Sequence, residues 1–425
     1  MKRILARSEF GRNVLTLFTG SALAQAIPIV IAPILTRIYT PEEFGVFTLY
    51  MAIASIFGVI ATGRYELAVM LPRKEGDSAN ITVLAILIAL LISAIILLLV
   101  FSFNSAIVQL IGNVQIGPWL YLLPVSILFI GIHQALNYWN NRKKAFRQLA
   151  LNRIIHSGGT AVGQVTLGYK SVFMGGGLII GSLFGQLLSI LTLAKMNWKD
   201  VAVHRIEIKT DSMVANAKIY KNFPLKDSWG ALVNTAATHM PIFFITKIFG
   251  SALTGAFGLT FKVLYIPMAL ISGSISQVVY QKIVAIHNSQ PELLFRFILK
   301  LFVVLLALSI PFVTIVAMFG YEIFIFVFGS NWTAAANFAI PLSFVVAVRF
   351  AVSPLSTVLS LNHNIGRGVC WKILYFFTLG TTLIAASDLS VDSFLIVFAI
   401  HEFILYGIYL AVILHATRVG PSKML

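Results

Sequence analysis

The chain has 425 residues, 58% of them hydrophobic and 11% charged, and its 31 Lys and Arg against 15 Asp and Glu give a formal net charge of +16. Soluble domains carry about 25% charged residues, so these proportions exclude a soluble globular protein and leave no stretch for a separate soluble domain. A net charge of +16 would point to nucleic acid in a soluble chain; here the basic residues border long apolar runs, where anionic lipid headgroups are the counter-ions, and no nucleic-acid partner is expected.

Twelve apolar runs follow one another, near 14–37, 44–63, 81–103, 118–139, 153–169, 174–194, 224–248, 255–280, 297–318, 335–360, 370–386 and 393–414. Each reaches or approaches the ~20 residues that carry a helix across a bilayer's hydrocarbon core. The gaps between them alternate in charge. Arg37, Lys170 and Lys247 edge one set of gaps, Lys262 and Arg349 lie inside apolar runs, and every other Lys and Arg falls in the second set. The positive-inside rule makes that second set cytoplasmic, so both termini of a multi-pass membrane protein are expected in the cytoplasm.

At the N-terminus Lys2, Arg3, Arg7 and Arg12 precede an apolar stretch, and Ala22-Leu23-Ala24-Gln25-Ala26 looks like a cleavage site for signal peptidase. The run continues to Leu35, so an uncleaved first span is expected. Pro28 and Pro33 lie in it, as Pro241 and Pro267 lie in spans seven and eight, and each is expected to kink its helix. Arg37 closes the first span, and Arg64 closes the second with Glu66 beside it. Gly159 and Gly163 on span five, and Gly177, Gly181 and Gly185 on span six, recur every four residues, the spacing at which helices approach closely within lipid.

The longest polar stretch, 195–226, divides the spans six and six. Its middle, Trp198 to Asp211, is expected to be a loop, and 211–222 suits a short amphipathic helix on the inner leaflet. Shifting the numbering by 213 places Ala24 on Ala237, Pro28-Ile29 on Pro241-Ile242 and Phe44-Gly45 on Phe257-Gly258. Two like halves of six spans have the same orientation, a parallel repeat of the kind found in transporters that rock two lobes around a central site. The expected fold is therefore an all-α integral membrane protein of about twelve transmembrane helices in two parallel six-helix lobes around a central cavity. Its parts would be 1–194, a linker over 195–223, and 224–425.

Lys262 sits several residues into span eight and Arg349 near the middle of span ten. A cation at such depth costs roughly 2.5–3.5 kcal/mol on insertion scales, so it is kept where it faces water, a partner or a substrate. With Arg64, and then Arg37 and Lys247 nearer span ends, these cations either line a cavity for an anionic ligand or serve as interface anchors and ion-pair partners. Glu402, beside His401 in span twelve, either neutralises one of them or takes a proton in ion coupling. His133, His156 and His239 read first as hydrogen-bonding groups between helices. A single cysteine, Cys370, excludes an intrachain disulfide and a Cys-based metal site, and no nucleotide, hydrolase or metalloprotease motif is present. No catalytic residue, metal or cofactor is expected.

Four stretches carry a resemblance. Thr40-Pro41-Glu42-Glu43-Phe44-Gly45-Val46-Phe47, Gly63-Arg64-Tyr65-Glu66-Leu67-Ala68-Val69-Met70-Leu71-Pro72, Trp139-Asn140-Asn141-Arg142 and Tyr220-Lys221-Asn222-Phe223-Pro224 resemble the Wzx-type polysaccharide flippases of the multidrug/oligosaccharidyl-lipid/polysaccharide exporter superfamily. The resemblance runs over essentially the whole chain. It implies two lobes forming a V around a cationic cavity, and passage of an undecaprenyl-diphosphate-linked oligosaccharide from the cytoplasmic to the outer leaflet by alternating access, for lipopolysaccharide O-antigen or another surface glycan. The implied partners are the lipid-linked oligosaccharide diphosphate, membrane lipids, a coupling proton or sodium ion, and other polysaccharide-assembly proteins. Lys262 stands where the family's eighth helix usually has a basic residue; Arg349 and Glu402 match no motif of the family. The alternative is an ion-coupled exporter of small-molecule drugs from the same superfamily, which would want carboxylates at its site.

Overall fold

A computed structural model describes residues 9–169, 176–204, 207–361 and 365–418. No strand occurs among them. The helices are α1 (Glu9–Ile38), α2 (Pro41–Gly58), a single turn α3 (Tyr65–Ala68), α4 (Glu75–Ile111), α5 (Leu123–Arg142), α6 (Phe146–Tyr169), α7 (Gly177–His204), α8 (Thr210–Ile219), α9 (Ser228–Ser289), α10 (Leu294–Phe328), α11 (Thr333–Val352), α12 (Ile365–Ala385) and α13 (Val391–Arg418). Setting aside α3 and α8 and dividing α9 at its break gives twelve long helices among the described residues, the all-helical, two-lobed architecture expected. A bilayer admits helices for the reason that fixes this architecture: each backbone amide must find its partner within the segment.

Eight described helices are long and apolar enough to cross a membrane, or nine if the bent pair Val114–Leu120 and Leu123–Arg142 is one span. One of the eight stretches, Phe223–Gly273, runs through the break in α9 into its second arm. Hydropathy alone passes over α2 and α6, and packing explains why they can be more polar. On α2, Leu49 and Tyr50 are fully buried, and the Tyr50 hydroxyl lies 2.6 Å from Ser126 Oγ. On α6, buried Asn152 donates to the Ser189 carbonyl at 2.7 Å and accepts from its hydroxyl at 2.8 Å.

The described residues fall into two compact units. Unit 1 runs to His239 and includes Gly250–Gly255; unit 2 holds Met240–Phe249 and the residues from Ala256 onward. In unit 1 the glycine rows do what their spacing promised. A Cβ on Gly163 would meet the Cα of Gly181 at 2.9 Å, and one on Gly159 would meet the Cα of Gly185 at 3.3 Å, so α6 and α7 touch backbone to backbone.

One local expectation changes. The polar segment after Trp198 is not a loop at its start, because α7 continues through His204. Pro241 and Pro267 lie inside α9, and its two arms separate between the runs 224–248 and 255–280 as expected, at Gly250, whose φ of 84° and ψ of −179° suit glycine. Pro28 and Pro33 likewise remain within α1. Neighbouring groups satisfy the backbone positions that a proline leaves open in a membrane helix, so a proline by itself does not end one.

Candidate functional site

In unit 2, α11, α12 and α13 each bring one polar side chain to the same buried point. Arg349 comes from α11 and is 9% exposed; Glu402 comes from α13 and is fully buried. Arg349 Nε donates to Glu402 Oε2 at 2.7 Å, and Nη2 donates to the Tyr375 hydroxyl of α12 at 2.9 Å. That hydroxyl in turn donates to Glu402 Oε1. Each member thus satisfies the other two, which a buried charge pair requires if attraction is to offset its desolvation. The guanidinium carbon stands 5.6 Å from the centre of the Phe261 ring and 5.9 Å from that of Tyr406. Aromatic faces of this kind are weakly attractive to a cation and exclude water. Beside Glu402, His401 Nε2 lies 3.3 Å from Thr378 Oγ1, while its Nδ1 is buried with no hydrogen-bond partner among the described residues.

Lys262 differs. It is exposed and makes no hydrogen bond or ion pair among the described residues. It follows Phe261, the residue whose ring approaches Arg349 and stacks with Phe257 and Tyr265 at 5.9 and 5.4 Å. Aromatic packing therefore fixes this stretch of α9 while its one cation stays open. Lys247, also in unit 2, is exposed. A groove of about 790 Å³ in the same unit has Tyr321, Asn337 and Asp392 among otherwise apolar neighbours, and none of the charged residues singled out from the sequence lines it.

In unit 1, Arg64 is a turn residue. It caps α3 with a φ of 62°, directly after Gly63 at 59°, a left-handed pair that ordinary side chains rarely enter. Arg64 Nε donates to Asp227 Oδ2 at 2.8 Å, and its Nη1 lies 3.3 Å from Glu66 Oε1. Glu66 is 1% exposed and accepts from Thr62. Burial is the larger influence on Glu66 and raises its pKa above the ordinary carboxylate range, against the opposing pull of Thr62 and Arg64. Arg37 bends back along its own helix, Nη1 donating to the Pro33 carbonyl at 2.6 Å.

The structure thus joins Arg349, Glu402 and His401 in one cluster and ties Arg64 to carboxylates of its own unit. The sequence reading missed Tyr375 and Asp227. An isolated Tyr in an apolar run reads as an interface anchor, and Asp227, just past the linker, gave no sign of its partner 163 residues away. One of the quoted motifs, at 40–47, has two local structural causes. In Thr40-Pro41-Glu42-Glu43, the Glu43 amide donates to Thr40 Oγ1 at 3.3 Å and the Thr40 amide donates to Glu43 Oε2 at 2.9 Å, a capping box with Pro at the first helical position. Gly45 is required because a Cβ there would lie 1.8 Å from the Ser251 carbonyl.

No curated protein sequence matches this chain. Solved structures do. An inward-facing multidrug resistance MATE family transporter of the MOP superfamily shares 14% identity at a TM-score of 0.70, covering 96% of each chain. A MOP superfamily transporter from Pyrococcus furiosus shares 14% identity at 0.65, covering 98% of each. The lipid II flippase MurJ, in an inward closed conformation, shares 15% identity at 0.69, covering 97% of this chain and 88% of its own. These likenesses show that the chain has the fold of these transporters and of MurJ. The family model described as "Polysaccharide biosynthesis protein" matches residues 34–337, well over half of the sequence, and the chain belongs to that family.

Proposed function

We propose that this protein is a flippase that carries an undecaprenyl-diphosphate-linked oligosaccharide from the cytoplasmic to the outer leaflet of the bacterial inner membrane by alternating access. Membership of a polysaccharide biosynthesis family supports the glycan, and the multi-pass fold supports passage across a bilayer. The single observation that carries the reading is Lys262, an exposed cation within an apolar span that no protein group matches among the described residues. Hydrocarbon does not tolerate an unmatched ammonium cheaply, so an anionic visitor is its natural counter-charge.

Arg349 takes a different part in this reading. Glu402 and Tyr375 occupy Nε and Nη2, so its charge organises the core of unit 2 and reaches the cargo only if Glu402 lets go. Opening of the Arg349–Glu402 contact would free the guanidinium for the diphosphate; Arg349 and Glu402 are the coupling pair in this scheme. Arg64 stays with Asp227 and Glu66, and Arg37 and Lys247 serve as flanking charges. The drug-exporter alternative wants an available carboxylate in the membrane, and Glu402 is already taken.

The test is surface glycan export in a deletion strain complemented with Lys262→Ala. Export should fall at least about tenfold, the factor that one lost interaction of ~1.4 kcal/mol produces, with the protein still in the membrane. Normal export by that variant would overturn the reading.

A further inference from the structure

The segment 207–229 is not a free tether. Asn80 of α4 grips its start: Nδ2 donates to the Glu207 carbonyl at 2.9 Å, and Oδ1 accepts from the Lys209 amide at 3.0 Å. The Tyr65 hydroxyl donates to the Ala217 carbonyl at 3.0 Å, and Arg64 holds Asp227 at 2.8 Å. Ala217, Tyr220 and Phe223 pack against the buried cluster that includes Tyr65, Val69 and Trp139. The segment therefore shows a fixed outer face. Four large apolar side chains stand out on it, Val214 and Leu225 with Ile219 and Trp229, between 48% and 67% exposed. Lys209, Lys218, Lys221 and Lys226 are exposed among them. The acids nearby are Glu207, Asp211 and Asp227, and Arg64 already holds the last of these.

We infer that this face is a docking surface for anionic phospholipid headgroups of the cytoplasmic leaflet. The apolar residues would enter the acyl boundary, Trp229 would sit at headgroup depth, and the lysines would meet the phosphates. Two features set it apart from the general excess of cations on that side. Hydrogen bonds from α3 and α4 anchor the segment that carries its lysines, and the Arg64–Asp227 contact holds the residue before α9. The inference rests on the inner-leaflet orientation and not on the identity of the cargo.

Hydrogen exchange tests it. The full chain is placed in nanodiscs of phosphatidylcholine alone, or of phosphatidylcholine mixed with phosphatidylglycerol, and amide exchange is followed over 210–227. Phosphatidylglycerol should slow that segment about tenfold, an effect of electrostatic origin that high salt reverses. The triple variant Lys218→Gln, Lys221→Gln, Lys226→Gln should lose the slowing, and the triple Arg variant should keep it. Equal exchange of the unaltered chain in the two lipids would overturn the inference, whether or not the variants fold. A phosphatidylglycerol effect that survives in the Gln variant would also overturn it. So would slowing by farnesyl diphosphate in phosphatidylcholine with none from phosphatidylglycerol, because the occupant would then be cargo. Glycan export is a separate readout, so failure here leaves the flippase reading standing, and the reverse holds too.

Discussion

Four charged side chains, Glu402, Arg349, Glu66 and Lys262, decide most of the chemistry at the residue scale. Glu402 carries the negative charge that lets Arg349 remain inside unit 2, and removing one partner of a buried pair typically costs about 3–5 kcal/mol. Glu402→Ala should therefore lower the melting temperature of the detergent-purified protein markedly. Combining it with Arg349→Met should recover most of the loss, because no buried charge is left alone. A double variant as unstable as the single would show that the pair is not the source of the effect. Glu66 offers a pH test. Its carboxyl, outside the spans, is held protonated to higher pH in the folded chain than in the unfolded one. The native state then binds more protons between the two pKa values, and stability falls as pH rises from the ordinary carboxylate range through the raised value. Glu66→Gln should flatten that part of a melting-temperature profile; an unchanged slope would place its origin elsewhere. Most of the candidate cations were legible in the sequence as charges in apolar runs, yet their roles were not. Lys262 and Arg349 read alike in one dimension, and only the folded chain shows one open and the other matched.

At the scale of elements, glycines matter where backbones meet or turn. Gly163 lies against Gly181 with no room for a side chain. Gly163→Leu should separate α6 from α7 and destabilise unit 1 by about 1–3 kcal/mol, the usual cost of overpacking, read as a lower melting temperature and weaker expression. Spacing alone foretold that seam, since residues four apart share a helix face. The end of α7 was less legible. Trp198–His204 is polar enough to look like a loop, but a helix leaving the membrane can continue in water and hold its backbone bonds. The break in α9 falls where the sequence separates the runs 224–248 and 255–280; only the dihedral at Gly250 that makes it is invisible to composition.

For the molecule as a whole, orientation can be checked with its one thiol. Cys370 is exposed at the start of α12, next to the basic gap assigned to the cytoplasm. A membrane-permeant maleimide should label it in intact cells and an impermeant one should not; labelling by both would invert the topology. The sequence by itself determined the class of fold. Long apolar runs can satisfy their amides in lipid only as helices, and the alternating loop charge sets their direction. Tertiary structure alone decided which charges meet. Arg349, Tyr375 and Glu402 come from three helices, and their contact depends on how each helix is rotated about its axis. Side-chain packing across the bundle settles that angle, and no pattern within a single span records it.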